Sequence, residues 1–484
     1  MFLLLAIANL ASASSLDFIE VGGPWGSPNA TDATAVWWNP AGLAAGTGTR
    51  FHAEGAGVFA SIDWERDDPF YGGSDGLRTA AIAPYVGVAT DLGIGGFGLG
   101  ASLSVPFARA GKQANPIPFV RDYEGPIPFD GAAGRYHTRD AGIQVIQATL
   151  AAGYDFGPIA IGAGGGLMFS SWTANIDNVL IVDLFDEIQE LNQDPGYTDD
   201  MIEDPRYATT AEFGDLRDTV FTFNLGIQAE PIPGLLTVSA AYHHSANLTH
   251  TGDVDLHFSC PPQDDTLGRF GSEAFGLCNT DVNAAASVSY GLPSRLYGGV
   301  KLTPTPMVDL EVMGGLVTWS RYTDFDVTLS DVETRNDPND FTDLERTAGL
   351  VNQNRLWARD NVNTGWVAVD GKVYVQDFTV GARVTYDGNA TPNQALMLNN
   401  YDAGKVIMSA MAEYRVWNGL SVGLSYSHYF LFRRTITDTG FGVTLDPENR
   451  KEDRWFYPQA NGVYTGSIDR VGLVVRGQFG GNTD

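Results

Sequence analysis

The chain has 484 residues, 57 of them glycine, with 11% aromatic residues and only 29 Lys and Arg against 58 Asp and Glu. A formal charge of −29 excludes nucleic acid as a partner, because its phosphates would be repelled, and fits acidic, solvent-facing loops. No stretch beyond residue 15 is long and apolar enough for a spanning helix. Any passage through lipid must therefore be made by a closed sheet, which satisfies its own backbone groups there.

Residues 1–13 read as a secretory signal, with an apolar core from Phe2 to Ile7 and a small-x-small cleavage site at Ala11-Ser12-Ala13. Residues 14–50 follow without strand alternation. They hold Trp37-Trp38-Asn39-Pro40-Ala41-Gly42-Leu43. Two adjacent Trp in a segment of small polar residues call for burial, and the residue before a proline avoids the helical region, so Asn39-Pro40 makes a turn. The segment reads as a folded plug inside the lumen of whatever follows.

From residue 51 onward the sequence alternates with a period of two. Phe97, Leu99, Ala101, Leu103, Val105 and Phe107 alternate with small residues. So do Phe221, Phe223, Leu225 and Ile227, then Phe378, Val380, Ala382, Val384 and Tyr386, then Leu420, Val422, Leu424 and Tyr426, and finally Val471, Leu473, Val475 and Phe479. An oily face backed by a small or polar face, repeated at bilayer length, predicts an all-β transmembrane barrel over residues 51–484. Short linkers (90–95, 155–158, 230–234, 303–306, 376–377, 417–419) alternate with long ones (66–78, 108–141, 172–218, 246–294, 320–363, 388–403, 432–466), which gives about fourteen antiparallel strands. The short turns are expected at the periplasmic end and the long loops outside.

Three features fall in the long loops. Val179–Leu191 has helical spacing in Ile181, Leu184, Phe185, Ile188 and Leu191, a face that could pack on the barrel mouth or, through Leu184 and Ile188, line a greasy groove. Cys260 and Cys278 are the only cysteines and read as a disulfide clipping one loop of an exported protein. Asp-rich runs at 199–204 and 331–343 are solvated surface with no metal-ligand spacing.

Alternation turns Lys301, Asp309, Glu311, Arg383, Glu413, Arg415 and Arg476 inward. They either cross-link the lumen as ion pairs or, in the case of Lys301 or Arg383, face a substrate carboxylate. Phe169, Trp172 and Trp319 are candidates for the wall of an apolar pocket, or for an interfacial aromatic girdle. His243, His244 and His250 lie near Ser245 and Asp253 without any nucleophile motif.

Asp32-Ala33 followed by Asn39-Pro40-Ala41-Gly42-Leu43, preceded by Leu16-Asp17-Phe18-Ile19-Glu20, resembles the N-terminal hatch signature of FadL-like outer-membrane transporters. Further likenesses are Leu292-Pro293-Ser294-Arg295, Thr318-Trp319-Ser320-Arg321-Tyr322, Gly381 to Asp387 with Ala390-Thr391-Pro392, and Asn461-Gly462-Val463-Tyr464. The resemblance implies a 14-stranded barrel in the outer membrane of a Gram-negative bacterium, monomeric and surrounded by lipid and lipopolysaccharide. It implies a hatch formed by Trp37, Trp38, Asn39, Pro40 and Ala41, passive uptake of long-chain fatty acids or aromatic hydrocarbons, and no cofactor, metal or enzymatic step. It also implies lateral exit beside a kinked third strand, here at Val105, Pro106, Phe107 and Ala108. Pro106 cannot donate to a ladder, and Ala108 stands where the family often has glycine. Fatty-acid carriers of the family place basic residues in their pocket. Residues 167–177 contain no Lys or Arg, which favours a neutral substrate. A general diffusion porin and a lipid-acting hydrolase are the rival readings.

Overall fold

Side-chain alternation dictates the architecture. The computed structural model describes residues 19–67, 73–114, 134, 137–179, 208–258, 280–322, 324–336, 355–440, 442–444, 456–458 and 460–480. Its strands close into a 14-stranded antiparallel barrel. In chain order they are β1 (Thr49–Arg66), β2 (Ser74–Thr90), β3 (Phe97–Gln113), β4 (Asp140–Asp155), β5 (Ile159–Val179) and β6 (Ala208–Ile232). Three strands follow that are each broken once: β7 (Leu236–His243 and Asn247–Phe258), β8 (Thr280–Gly291 and Arg295–Thr305) and β9 (Val308–Val317 and Asp324–Asn336). Then come β10 (Arg355–Ala358 and Thr364–Val375), β11 (Phe378–Asp387), β12 (Lys405–Trp417), β13 (Leu420–Leu431 and Arg434–Ile436) and β14 (Gly462–Phe479). Each strand pairs with its sequence neighbour. The seam closes where β1 meets β14 from Thr49↔Phe479 to Arg66↔Gly462. β1 begins at Thr49, so the last two residues of the expected leading segment are already strand.

The outer face is apolar. Leu150, Leu424 and Phe221 are 68%, 64% and 62% exposed, and Val86, Leu99, Val380 and Leu473 share that face. A continuous exposed apolar surface of this kind is stable only against lipid. Aromatic side chains edge it. Near the short turns are Phe51 stacked on Phe479 at 6.0 Å, Phe378 against Tyr414 at 4.8 Å, and Trp417. Phe59 lies eight residues beyond Phe51 on the same face. For a tilted strand that is about 20 Å along the barrel axis, close to the height of a bilayer's apolar band.

The short turns are where the alternation puts them, but the long linkers are shorter than expected. β5 to β9 run on past the belt, with β6 starting at Ala208 and β7 reaching Phe258. In this overhang the pattern inverts. Phe213, Leu216, Val254, Leu256, Val282, Val288, Val327 and Leu329 are buried inside, while Asp215, Asp253, Asp255 and Asp326 face out. Above the bilayer water replaces lipid outside, so polar residues turn outward and the bore becomes the only place for apolar ones. The result is a greasy core under the long-loop end. Leu184, Ile188, Cys260 and Cys278, with the helix candidate beyond Val179, lie outside the described residues.

Candidate functional site

The segment from Ile19 to Gly46 lies against inward-facing side chains around the whole barrel. It carries one turn of α-helix, α1 (Ala35–Trp38), and a 3-10 turn, Pro40–Ala45. Asp32 starts the helix by accepting the Thr34 N–H at 2.8 Å. Asn39 ends it in extended backbone, as the residue before Pro40 must, and its Oδ1 accepts from the Ala41 N–H at 3.1 Å. Trp37 and Trp38 are 1% exposed. The Trp38 indole donates to the Val21 carbonyl at 2.9 Å, and Trp37 stacks edge-on with His243 at 4.5 Å.

Polar side chains of the wall bind this segment's backbone. Asn224 donates to the carbonyls of Val36 and Trp37 at 2.9 and 3.2 Å, Tyr85 to that of Ala33 at 2.8 Å, and Arg383 to that of Gly26 at 3.0 Å. Ser27 and Asn29 donate to Glu311 at 2.6 and 2.8 Å. The Glu20 carboxylate accepts from Ser409, Ser427 and Tyr429 at 2.5, 2.8 and 3.2 Å. Arg470 of β14, beside Glu20, is joined to Glu54 of β1 at 2.7 Å, a contact across the seam. Wall glycines supply the remaining fit. An added Cβ would come within 2.2 Å of Leu43 O at Gly98, 2.4 Å of Pro40 O at Gly153, 2.2 Å of Ala41 N at Gly162 and 1.8 Å of Asn39 Oδ1 at Gly226.

The third strand is irregular around Pro106, and two of its side chains face the other way from the simple alternation. Val105 and Phe107 were expected on the oily face. Instead Ser104, Val105, Pro106, Phe107 and Ala108 are all buried in succession. The β3–β4 register slips by one residue between Ser104↔Gln147 and Phe107↔Val145, a bulge that turns Phe107 into the lumen. On the other side, β2–β3 pairing stops at Tyr85↔Ser104 and resumes only at Arg78↔Lys112. Pro106 lacks an N–H, which suits it to such a break. A slot without ladder bonds therefore opens between residues 79–84 and 105–111, bridged by the Thr79 hydroxyl to the Ala110 carbonyl at 3.0 Å.

Behind the slot is an apolar cavity of ≈ 40 Å³. Arg109 and Gly111 of the slot line it, with Leu77 just beyond the slot on β2, Ile143, Trp172, Ala174 and Ile176 from β4 and β5, Tyr322 from the break in β9, Phe325 just after it, and Arg359 from the break in β10. The Arg359 guanidinium lies 5.0 Å over the Phe325 ring and is 7% exposed. Its Nε and Nη1 have no hydrogen-bond partner among the described residues. Among the described residues, no Asp or Glu lines the cavity.

The sequence-predicted candidates separate. Trp172 lines the cavity. Trp319 is buried next to Tyr322, 6.1 Å ring to ring. Phe169 is 45% exposed on the outer face, because it shares parity with Leu167. Arg383 forms a buried pair with Asp370 at 2.6 Å, far down the lumen beside Trp25 and Gly26. Arg476 pairs with Glu413 at 3.1 Å, so the cross-linking role holds for both arginines. Lys301 is half-buried on the inner wall in register with Glu311. The histidines do not converge: His243 faces Trp37, His244 stacks on Phe223 at 4.7 Å, and His250 meets Ser170 at 2.7 Å. Arg109 and Arg359 were missed. Arg109 sits just past the Pro106 break, and that is the only cue the sequence carries. Arg359 falls within an expected loop.

No family model and no curated protein sequence matches the chain. Solved structures do. A FadL homologue of Pseudomonas aeruginosa is 16% identical, with 97% of this chain and 100% of that one covered at a TM-score of 0.72. The toluene transporter TbuX of Ralstonia pickettii is 13% identical, with 98% and 100% covered at 0.58. The toluene transporter TodX of Pseudomonas putida is 12% identical, with 98% and 99% covered at 0.59. In fold, this chain is a FadL-like barrel.

Proposed function

We propose that this protein is a passive outer-membrane transporter for hydrophobic molecules in a Gram-negative bacterium, with residues 19–46 as its plug. The observation that carries the reading is the position of the apolar cavity directly behind the unpaired slot of β2 and β3. A solute entering the greasy core from the long-loop end reaches the cavity, and the slot offers a sideways route into the bilayer. Transfer from water gains about 0.8 kcal/mol per CH₂, so the route needs no energy source beyond the solute's own gradient. A cavity of ≈ 40 Å³ has room for one or two waters, so cargo must displace side chains or the plug to pass.

The two guanidinium groups at the cavity favour an amphiphile with an anionic head, such as a long-chain fatty acid, over a neutral hydrocarbon. This reading departs from the expectation drawn from residues 167–177, because it rests on basic groups from other strands. The test is uptake of oleate and of toluene into proteoliposomes. Oleate uptake should saturate and fall about tenfold in Arg359→Gln, the loss of one charge-assisted hydrogen bond, with toluene uptake unchanged. Equal loss for both solutes would refute the headgroup role. Large steady single-channel currents would refute the plugged barrel and favour a porin.

A further inference from the structure

The plug and the slot are separate features of the fold, yet one side chain touches both. Arg295 projects inward from β8 and is 1% exposed. Its Nη2 donates to the Pro106 carbonyl at 3.2 Å, and its guanidinium lies 4.0 Å over the Phe107 ring. The same guanidinium lies 5.4 Å from the Trp37 ring of the plug. A planar cation can hold two aromatic faces and a carbonyl at once only while all three stay in place. In register next to it, Tyr297 packs on Trp38 at 5.4 Å and on His243 at 5.2 Å, so this edge of β8 is fitted to the paired Trp.

We infer that Arg295 is a positioning residue that couples the plug to the β3 break, pinning the bulge inward while Trp37 is seated and releasing it when Trp37 leaves. This rests on the proposed plug-and-slot route and deepens it. The β4 side of the bulge is held by ladder pairs from Phe107↔Val145 onward, but Pro106 has no N–H and the β2–β3 ladder is absent here, so the β2 side depends on side-chain contacts. Losing the Trp37 face removes one of the contacts that place the guanidinium and loosens its hold on the Pro106 carbonyl. Linkage makes the effect reciprocal: releasing the bulge must weaken the seating of Trp37 by the same factor.

The test reads the coupling without cargo. An added Cβ at Gly100 lies 2.5 Å from Val36 Cγ2, so Val36→Cys with Gly100→Cys forms a lock between plug and wall. The lock is placed in full-length protein carrying Cys260→Ser and Cys278→Ser, in phosphatidylethanolamine–phosphatidylglycerol nanodiscs. Amide hydrogen exchange is followed at residues 107–111, with the lock oxidised or reduced. With Arg295 present, oxidation should slow exchange there about tenfold, within the usual range of site-to-site coupling. In Arg295→Met, exchange should be fast and change less than about twofold on locking. Arg295→Lys, whose ammonium cannot cover two rings, should respond in between. Equal slowing with Arg295 present and in Arg295→Met, or no slowing with Arg295 present, overturns the proposal. If Arg295→Met fails to give the folded, heat-modifiable barrel, Arg295→Lys decides, and a response equal to that of Arg295 overturns it. Oleate uptake by the locked protein tests the transport reading separately. Unchanged uptake would count against plug gating and leave the exchange result to judge Arg295.

Discussion

Asn39 sits on Gly226: its side-chain amide donates to the Ile227 carbonyl at 3.1 Å, and a Cβ at Gly226 would lie 1.8 Å from its Oδ1. The turn that ends α1 is thus pressed into a wall that has no side chain at that point. Gly226→Ala should lift the Asn39–Pro40 turn and cost about 1–3 kcal/mol of stability, as overpacking does. Thermal unfolding in detergent and faster amide exchange over residues 35–43 are the measurements. An unchanged melting temperature with unchanged exchange would show that the turn does not depend on this seat.

Arg383 and Asp370 are 3% exposed each and are joined at 2.6 Å. Arg383→Met leaves a buried carboxylate without its cation and should destabilise the barrel by about 3–5 kcal/mol. Asp370→Asn in the same chain should recover much of that. Urea unfolding of the single and double variants tests the pair. The ratio of oleate to toluene uptake should stay constant throughout, because this arginine is bound to Gly26 and Asp370 and not to the cavity.

The Thr79–Ala110 bridge spans the slot, so Thr79→Cys with Ala110→Cys is expected to staple it. Oxidation should reduce oleate uptake to the background of empty liposomes, and dithiothreitol should restore it. Uptake that is indifferent to oxidation would exclude the slot as the exit.

Asp91 closes the first short turn. The N–H groups of Gly93 and Gly48 donate to its carboxylate at 2.9 and 2.8 Å and hold its pKa below the ordinary value of 3.8. A carboxyl depressed on folding stabilises the fold above its unfolded pKa, and that contribution disappears as pH falls through the folded value. The melting temperature should therefore be flat from about pH 5 to 8 for this group and drop below about pH 4, within the carboxylate range. In Asp91→Asn the acid limb of that curve should be shallower. Identical acid limbs would show that the turn carries none of it.

Leu99, Phe221, Val380, Leu424 and Leu473 can be read as lipid-facing because a bilayer tolerates nothing else over that height, and a two-residue period leaves no other arrangement. Trp37-Trp38 and Asn39-Pro40 are legible for a similar reason: each has one comfortable environment. The inward turn of Phe107 is not legible, since one extra residue in a bulge reverses every later side chain without altering the composition. The overhang is also hidden. Val254 and Leu256, like Val327 and Leu329, alternate as clearly as the belt does, but with water as the outer solvent, while a register shift separates Phe213 from Leu216, and the sequence does not mark where lipid stops. Arg109 and Arg359 meet only through tertiary folding, 250 residues apart, and no local pattern in either stretch announces the other.

The contact of Glu20 with Arg470, and of Arg470 with Glu54, has a consequence for how the molecule is made. β1 and β14 are the first and last strands to be synthesised, and the cylinder is sealed only when they meet. The buried anion that reaches the Arg470 guanidinium alongside Glu54 comes from the chain's own leading end. Sealing the cylinder and seating its leading segment against the wall thus draw on one cluster of charges.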